Sequence, residues 1–395
     1  MEPDKNPLLE IWDTPFGVPP FERITEDHYL PAFSEAMRIH RGEIETIANS
    51  TLPPTFANTL EALDTSGALL SQVSAVFFNI RSALTNDKIQ DIAKEISPKL
   101  AKHNDDIRLN VKLFGRIKTV YDKRESLDLN EEQTTLLEKT YQDFARGGAL
   151  LEPDAKKRFR EINERLSLLS VQFGENVLKD NNQFELIISA EDQLAGLPKR
   201  TISAAATKAK EKGLEGQWLF TLDKPSLIPF LQYSEIRVLR EAMYRGYTQR
   251  GDNNDEFDNK AILVEMASLR VERAQLLGFK THAHYVLDIN MAKTPEKVYA
   301  LLDQLWKPAL AQAQAEVKAM QALIDEEGGD FQLQPWDWWY YTEKLREAKF
   351  ALDENELRPY FKLENVIDGA AMVAEKLFGI TLDELSDIPT YHPEV

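Results

Sequence analysis

From Thr25 to Phe378 the apolar residues return every three or four positions, and that period, which lapses only once, admits little besides helix. The clearest stretch is Asp154 to Leu178. Phe159, Ile162, Leu166, Leu169, Phe173 and Val177 form one apolar stripe there, which leaves Lys156, Arg160, Glu161 and Glu164 for water. Thr25 is placed to cap a helix through Ala32, Phe33, Ala36 and Met37. The same pattern covers Thr55–Ile80 (two helices or one bent), Asp87–Tyr121, Asn130–Phe144, Asp255–Leu277, Asp337–Ala351 and Leu363–Phe378. Thr294-Pro295 opens a long helix with a cap followed by proline. Its stripe runs Val298, Leu301, Leu305, Leu310, Ala313, Val317, Met320 and Ile324, Gly328-Gly329 stops it, and Pro308 is expected to kink it.

The period lapses at Gln183–Ile188 and Gln217–Leu222, two short runs rich in β-branched and aromatic residues and bounded by turns. A short helix, Ser203–Lys212, lies between them and closes at Gly213. The expected fold is therefore mainly α, a multi-helix body with a small two-stranded β insertion. The sequential division is an extended arm over 1–24, a helical region over 25–182, the β-containing insertion with connecting helices over 183–250, and a second helical region over 251–395. The arm is assigned from Pro3, Pro7, Pro15, Pro19 and Pro20, which suit an extended path over a surface.

Acidic residues number 65 against 47 basic, a net charge of −18, which argues against nucleic acid and anionic membrane as partners. The absence of cysteine excludes disulfides, thiolate metal sites and a thiol nucleophile. The opening Met1-Glu2-Pro3-Asp4-Lys5 has no basic segment followed by an apolar one, and Thr65–Ile80 is too short and polar to cross a bilayer. A cytoplasmic protein is expected, with the periplasm as the alternative.

Chemistry is sparse. Helical zinc sites place two imidazoles four apart with a glutamate between. The histidines are His28, His40, His103, His282, His284 and His392, and no two are four apart. His282 and His284 diverge on a helix and read as polar residues at its end. Asp252, Asp255 and Asp258 have a calcium-loop composition but lack the central glycine and closing glutamate, so a crowded helix start fits better. Gly213 and Gly216 read as a plain turn, and there is no nucleophile elbow, P-loop or dinucleotide fingerprint. The run Trp336-Asp337-Trp338-Trp339-Tyr340-Tyr341 covers every face of a helix start. Some of its rings must meet core, with packing between helices as their main use, while others face a cleft or partner. No catalytic or metal-binding residue is named on these grounds.

Several stretches in order resemble one family. They are Pro15–Phe21, Glu26–Phe33, Leu194–Pro198, Thr221–Pro229, Arg250–Asp255, Arg270–Phe279, Met291–Pro295, Trp336–Lys344, Leu352–Glu354, Pro359–Phe361 and Tyr391–Val395. Together they resemble the zinc metallopeptidases typified by thimet oligopeptidase, neurolysin, bacterial oligopeptidase A and bacterial peptidyl-dipeptidase. The stretches opening at Pro15 and Met291 favour the peptidyl-dipeptidase branch. The resemblance implies a helical, neurolysin-like fold with two halves flanking a channel for short unfolded peptides, from whose carboxyl end dipeptides are released. It implies zinc held by a His-Glu-x-x-His helix and a further glutamate. No position here matches those ligands, so the expectation is an amino-terminal portion preceding the catalytic region, without bound zinc and inactive alone. Of the residues present, Trp336, Trp338, Trp339, Tyr340 and Tyr341 are the candidates for lining the channel.

Overall fold

The computed structural model describes residues 6–351 and 354–395; Met1–Lys5 and the Leu352-Asp353 pair of the motif above lie outside them. The described chain is mainly helical and carries one two-stranded antiparallel sheet. Its contacts gather into two compact units, both discontinuous in sequence. The first comprises 1–175, 262–293 and 385–395, and the second 176–261 and 294–384.

In the first unit, short 3-10 turns at Pro7–Leu9, Pro15–Gly17 and Phe21–Arg23 interrupt the proline-rich arm, which is otherwise extended. The arm is held down by a fully buried Leu8 and by the Trp12 indole, which donates to the Pro7 carbonyl. Thr25 and His28 form a reciprocal capping box at the entry to α1 (Tyr29–Ala48). A π-helical segment, Phe56–Glu61, leads to α2 (Ala68–Ala83), and the break between them falls at Gly67, whose φ is +73°. Next come α3 (Asp87–Arg108), α4 (Val111–Asp122), α5 (Glu131–Phe144) and the long α6 (Pro153–Gln183). Asn86, Asn110 and Asn130 cap α3, α4 and α5 through their side-chain oxygens, which satisfies backbone donors left open at a helix start.

Three apolar clusters hold this unit together. One joins α1, α2 and α3 around Phe33 and Phe77, whose rings meet edge to face at 5.5 Å. A second joins α1, α4 and α5 around Leu113, Ile117 and Leu137. The third uses the α6 stripe: Ile162, Leu166 and Leu169 pack on Ile262, Met266 and Leu269 of α10 (Lys260–Leu276).

The second unit carries the sheet. β1 (Leu186–Ile188) pairs with β2 (Trp218–Phe220) in the register Leu186↔Phe220, Ile187↔Leu219 and Ile188↔Trp218. Between them runs α7 (Lys199–Glu211); α8 (Lys224–Tyr233) and α9 (Arg237–Thr248) follow, and Phe220, Phe230 and Met243 centre the core. α10 begins at Lys260, five residues later than the periodicity suggested. The intervening turn is tied to the end of α6, where the Gly251 amide and the Asn253 side chain donate to Asp180.

After α11 (His282–Leu287), a helix of the first unit, comes α12 (Pro295–Glu326), capped by Thr294 as expected. Pro308 lies inside α12 without ending it. Only the far end of its apolar stripe is covered: Met320 and Ile324 are buried with Tyr341 of α13 (Trp338–Phe350), while Leu301, Leu305, Leu310 and Val317 are exposed. Along α14 (Leu363–Phe378), Leu363, Ile367, Val373 and Phe378 are exposed as well.

Two glycines separate the cost of a left-handed backbone from that of a close approach. Gly216 (φ +82°) has open space where a Cβ would stand, whereas a Cβ at Gly196 (φ +82°) would come within 2.2 Å of the Tyr233 carbonyl oxygen. Gly216→Ala is expected to lose about 1–2 kcal/mol for the strained φ alone. Gly196→Ala adds an unavoidable backbone clash and should lose about 2–4 kcal/mol. Urea denaturation of both variants checks this; equal losses would show that the clash is relieved without cost.

Candidate functional site

The aromatic run folds around its one acid. A 3-10 turn at Pro335–Asp337 delivers Asp337 to the start of α13, where its carboxylate accepts from the Gln334 amide. Asp337 is fully buried and is met by two guanidinium groups from α9. Arg237 forks onto it with bonds of 2.9 and 3.1 Å, and Arg240, itself 2% exposed, donates at 2.9 Å. A buried carboxylate is tolerable only with such partners. Arg240 also donates to the carbonyls of Ser234 and Glu235, so one side chain joins the end of α8, α9 and α13.

The rings then cover the cations. Arg237 lies 4.2 Å from the Phe331 ring centre, and Arg240 lies 4.2 Å from that of Tyr340. Arg245 sits over Trp336 at 5.0 Å, and Lys344 over Tyr340 at 4.8 Å. The π face supplies the attraction that water would otherwise provide. Trp336 and Tyr340 are thus half-buried partners of cations. Tyr341 is core, and burial holds its hydroxyl above the ordinary tyrosine range. Trp338 and Trp339 alone of the five candidates border an open concavity, of about 400 Å³, shared with Gln232, Thr342, Glu343 and Arg346. Trp339 is 42% exposed. Glu343 in this wall pairs with Arg346 and accepts from the Tyr233 hydroxyl. The arrangement offers flat apolar faces next to a carboxylate–guanidinium pair, which suits stacking and backbone hydrogen bonding to an extended chain.

Among the described residues no histidine stands in a metal-ligand group. His28 belongs to the α1 cap, and the Nδ1 of His392 accepts from the Glu394 amide. His282 and His284 open α11, where the Thr281 hydroxyl caps His284. His40 and His103, 63 residues apart, meet with their ring nitrogens 3.0 Å from one another, a pairing no spacing rule could disclose. Ser66 lies 3.3 Å from the other nitrogen of His40. Burial, then the neighbouring His40 and Arg41 charges, push the His103 imidazole down to about 4. Among the described residues no three His, Cys, Asp or Glu side chains converge as metal ligands would. Two acids of the 252–258 turn, Asp252 and Asp258, are instead engaged by Lys260, and Asp255 accepts from the Phe257 amide. No helix among the described residues is long and apolar enough to cross a membrane.

Relatives give this geometry a setting. The profile of Peptidase family M3 matches residues 230–395. Dipeptidyl carboxypeptidase of Escherichia coli K12 is 39% identical over 391 residues, which is 99% of this chain. Over almost its whole length the chain resembles members of peptidase family M3. Oligopeptidase A of the same organism is 32% identical over 394 residues, again 99% of the chain. A thimet-like oligopeptidase of Dictyostelium discoideum is 27% identical over 354 residues, 86% of the chain and 51% of that protein. The chain spans 57% of the length of each of the two E. coli relatives. The M3 profile covers α9, α13 and the whole aromatic run, so the Asp337 cluster lies within the part that carries the family match. A zinc site, which the family resemblance implies, finds no fitting set of ligands among the described residues.

Replacing Asp337 with Asn would strand the buried Arg240 charge and is expected to cost about 3–5 kcal/mol. Arg158→Ala breaks a pair with Glu272 in which both partners are more than 40% exposed, and should leave stability nearly unchanged. Chemical denaturation of the two variants tests the contrast, and similar losses would contradict it. The histidine pair carries a pH signature. His103 is neutral in the native state and gains a proton on unfolding below its ordinary value of 6.5. Stability should therefore fall as pH drops from 6.5 toward about 4. A His103→Asn variant should show a shallower decline over that window, measured by urea midpoints at pH 7, 6 and 5.

Proposed function

We infer that these 395 residues form the amino-terminal, peptide-holding portion of a zinc-dependent peptidyl-dipeptidase that removes dipeptides from the carboxyl end of short peptides. The observation that carries this reading is the 39% identity with a dipeptidyl carboxypeptidase, sustained over 99% of the chain. Hydrolysis is assigned to residues outside this sequence, because no histidine pair has ligand spacing and no metal-ligand group forms among the described residues. In this reading, zinc in the whole enzyme polarises the scissile carbonyl and activates water. This chain contributes one wall of the channel. Trp338 and Trp339 would stack on the substrate, with Trp336, Tyr340 and Tyr341 as the layer behind them. The proposed setting is the cytoplasm, with short peptides as partners and neither nucleic acid nor membrane.

The exposed apolar residues of α12 and α14 support a covering partner, which here is the catalytic region of the same enzyme. Without that cover, self-association through these faces is expected. A clean monomer in sedimentation at high concentration would argue against it. The 32% identity with oligopeptidase A over 394 residues favours one second reading, the corresponding part of an oligopeptidase A-like endopeptidase. The two separate on product analysis of the complete enzyme, which yields carboxyl-terminal dipeptides in the first case and internal cleavage in the second.

The 395-residue chain is expected to turn over no peptide and to hold no stoichiometric zinc. It is expected to bind peptides of several residues with micromolar to millimolar affinity. Trp339→Ala should weaken that binding about tenfold, an aromatic contact being worth on the order of 1 kcal/mol, without altering the melting temperature. Calorimetry with short peptides decides the point. Turnover that survives a chelator would sink the assignment. Peptide binding by the chain with no catalytic counterpart encoded alongside it would mark a non-catalytic peptide-binding protein instead.

A further inference from the structure

The first unit holds a cavity of about 330 Å³ bounded by α3, α6, α10 and α11 that the peptidase reading does not use. Three arginines face it: Arg108 from α3, and Arg270 and Arg273 from α10. In a chain with 65 acids and 47 bases, arginines readily find carboxylates, and Arg158, Arg160 and Arg165 on the adjoining α6 all do. Arg108 and Arg270 make no ion pair or side-chain hydrogen bond among the described residues. Arg273 has only the Asn163 side-chain oxygen at 3.2 Å and the Tyr285 ring, and its Nε is buried without a partner. Arg146, close by, is neutralised by Asp288 and is not part of this set. Donors also come from Ser167 and from Asn163, which spans the floor between Arg273 and Asp105.

Three guanidinium groups converging on one concavity, one of them with an unused buried N–H, match a ligand with several oxyanion acceptors. Guanidinium forks bind carboxylate and phosphate alike, with charge-assisted bonds about twice as strong as neutral ones. A volume near the lower end of ligand pockets limits the guest to a small molecule. We propose that this cavity binds a small polyanion carrying two or more phosphate or carboxylate groups. The site is independent of the peptidase assignment, since none of its residues belongs to the Asp337 cluster or to the Trp338–Trp339 concavity.

Asp105 is the one acid on the cavity wall, and it sets the pH dependence. Its carboxylate accepts from Asn163, and burial pushes it up to about 6 against the charges of Arg160 and Arg108. The groups facing it are Asp106 and Arg108 on α3, Arg160 and Asn163 on α6, and Arg270 and Arg273 on α10. Asp106 is engaged by Lys102 and Arg160. An anion competes with ionised Asp105, so relative to an Asp105→Asn reference, which carries the probe's own protonation alone, affinity gains as pH falls from 8 toward 6, where Asp105 takes up a proton.

Calorimetric titration of the 395-residue chain with pyrophosphate and with citrate, at fixed ionic strength set by sodium chloride, tests the site. Saturable one-site binding is expected. Preference for pyrophosphate assigns phosphate chemistry, and preference for citrate assigns carboxylate chemistry. Arg108→Ala and Arg270→Ala alter exposed side chains and leave the fold intact; each should weaken binding about tenfold. Asp105→Asn keeps an acceptor for Asn163, should bind more tightly at pH 8, and should retain only the pH trend of the probe itself. No saturable binding of either probe below about 10 mM, in the millimolar range where affinity is negligible, overturns the proposal. So does binding that neither arginine variant weakens.

Discussion

The buried carboxylate of Asp337 constrains the second unit more than any other group. A charge without access to water must be met where it stands, and Arg237 and Arg240 meet it from one face of α9. Once those guanidinium groups are committed, the aromatic side chains around them have little choice. Trp336 and Tyr340 lie against cations, Tyr341 drops into the core with Met320 and Ile324, and Trp338 and Trp339 are left for the surface concavity. A run that covers all faces of a helix is thereby sorted into three uses by the position of one acid.

Charge is handled differently in the two units. In the second, Arg237 and Arg240 are held by the Asp337 carboxylate and by ring faces, although the Nε of Arg240 is buried without a hydrogen-bond partner. In the first, all three arginines of α6 reach carboxylates on α3 or α10, whereas the three around the Asp105 cavity, from α3 and α10, make no such pair among the described residues. An overall charge of −18 therefore coexists with a local cationic pocket, because net charge is a sum over the chain while a guanidinium responds to what lies within a few ångströms. The apolar faces of α12 and α14 follow similar logic: helices amphipathic in sequence need a neighbour, and of these two, among the described residues, the end of α12 is the part that has one.

Much of the architecture was legible because it depends on local periodicity. The α6 stripe, the Thr25 and Thr294 caps and the stop at Gly328 are read from residues a few positions apart and form as read, while the two strands form within the runs read for them but shorter, Gln183 ending α6 instead. The late start of α10 was not legible, since Asp180, some seventy residues upstream, holds the Gly251–Asn253 turn. Nor were the His40–His103 pair or the convergence of Arg108 with Arg270 and Arg273, whose members are far apart along the chain.

By itself the sequence determined that this is a helical protein with a minor sheet, and the order of its motifs pointed to the peptidases it resembles. Those properties follow from side-chain periods and caps that act within one or two turns of helix. Only the tertiary structure decided which of five aromatic residues reach an open surface, which acid is buried, and which arginines stand unpaired around a cavity. Burial and electrostatic pairing are set by residues brought together from distant parts of the chain, and the spacing within any one segment carries no record of them.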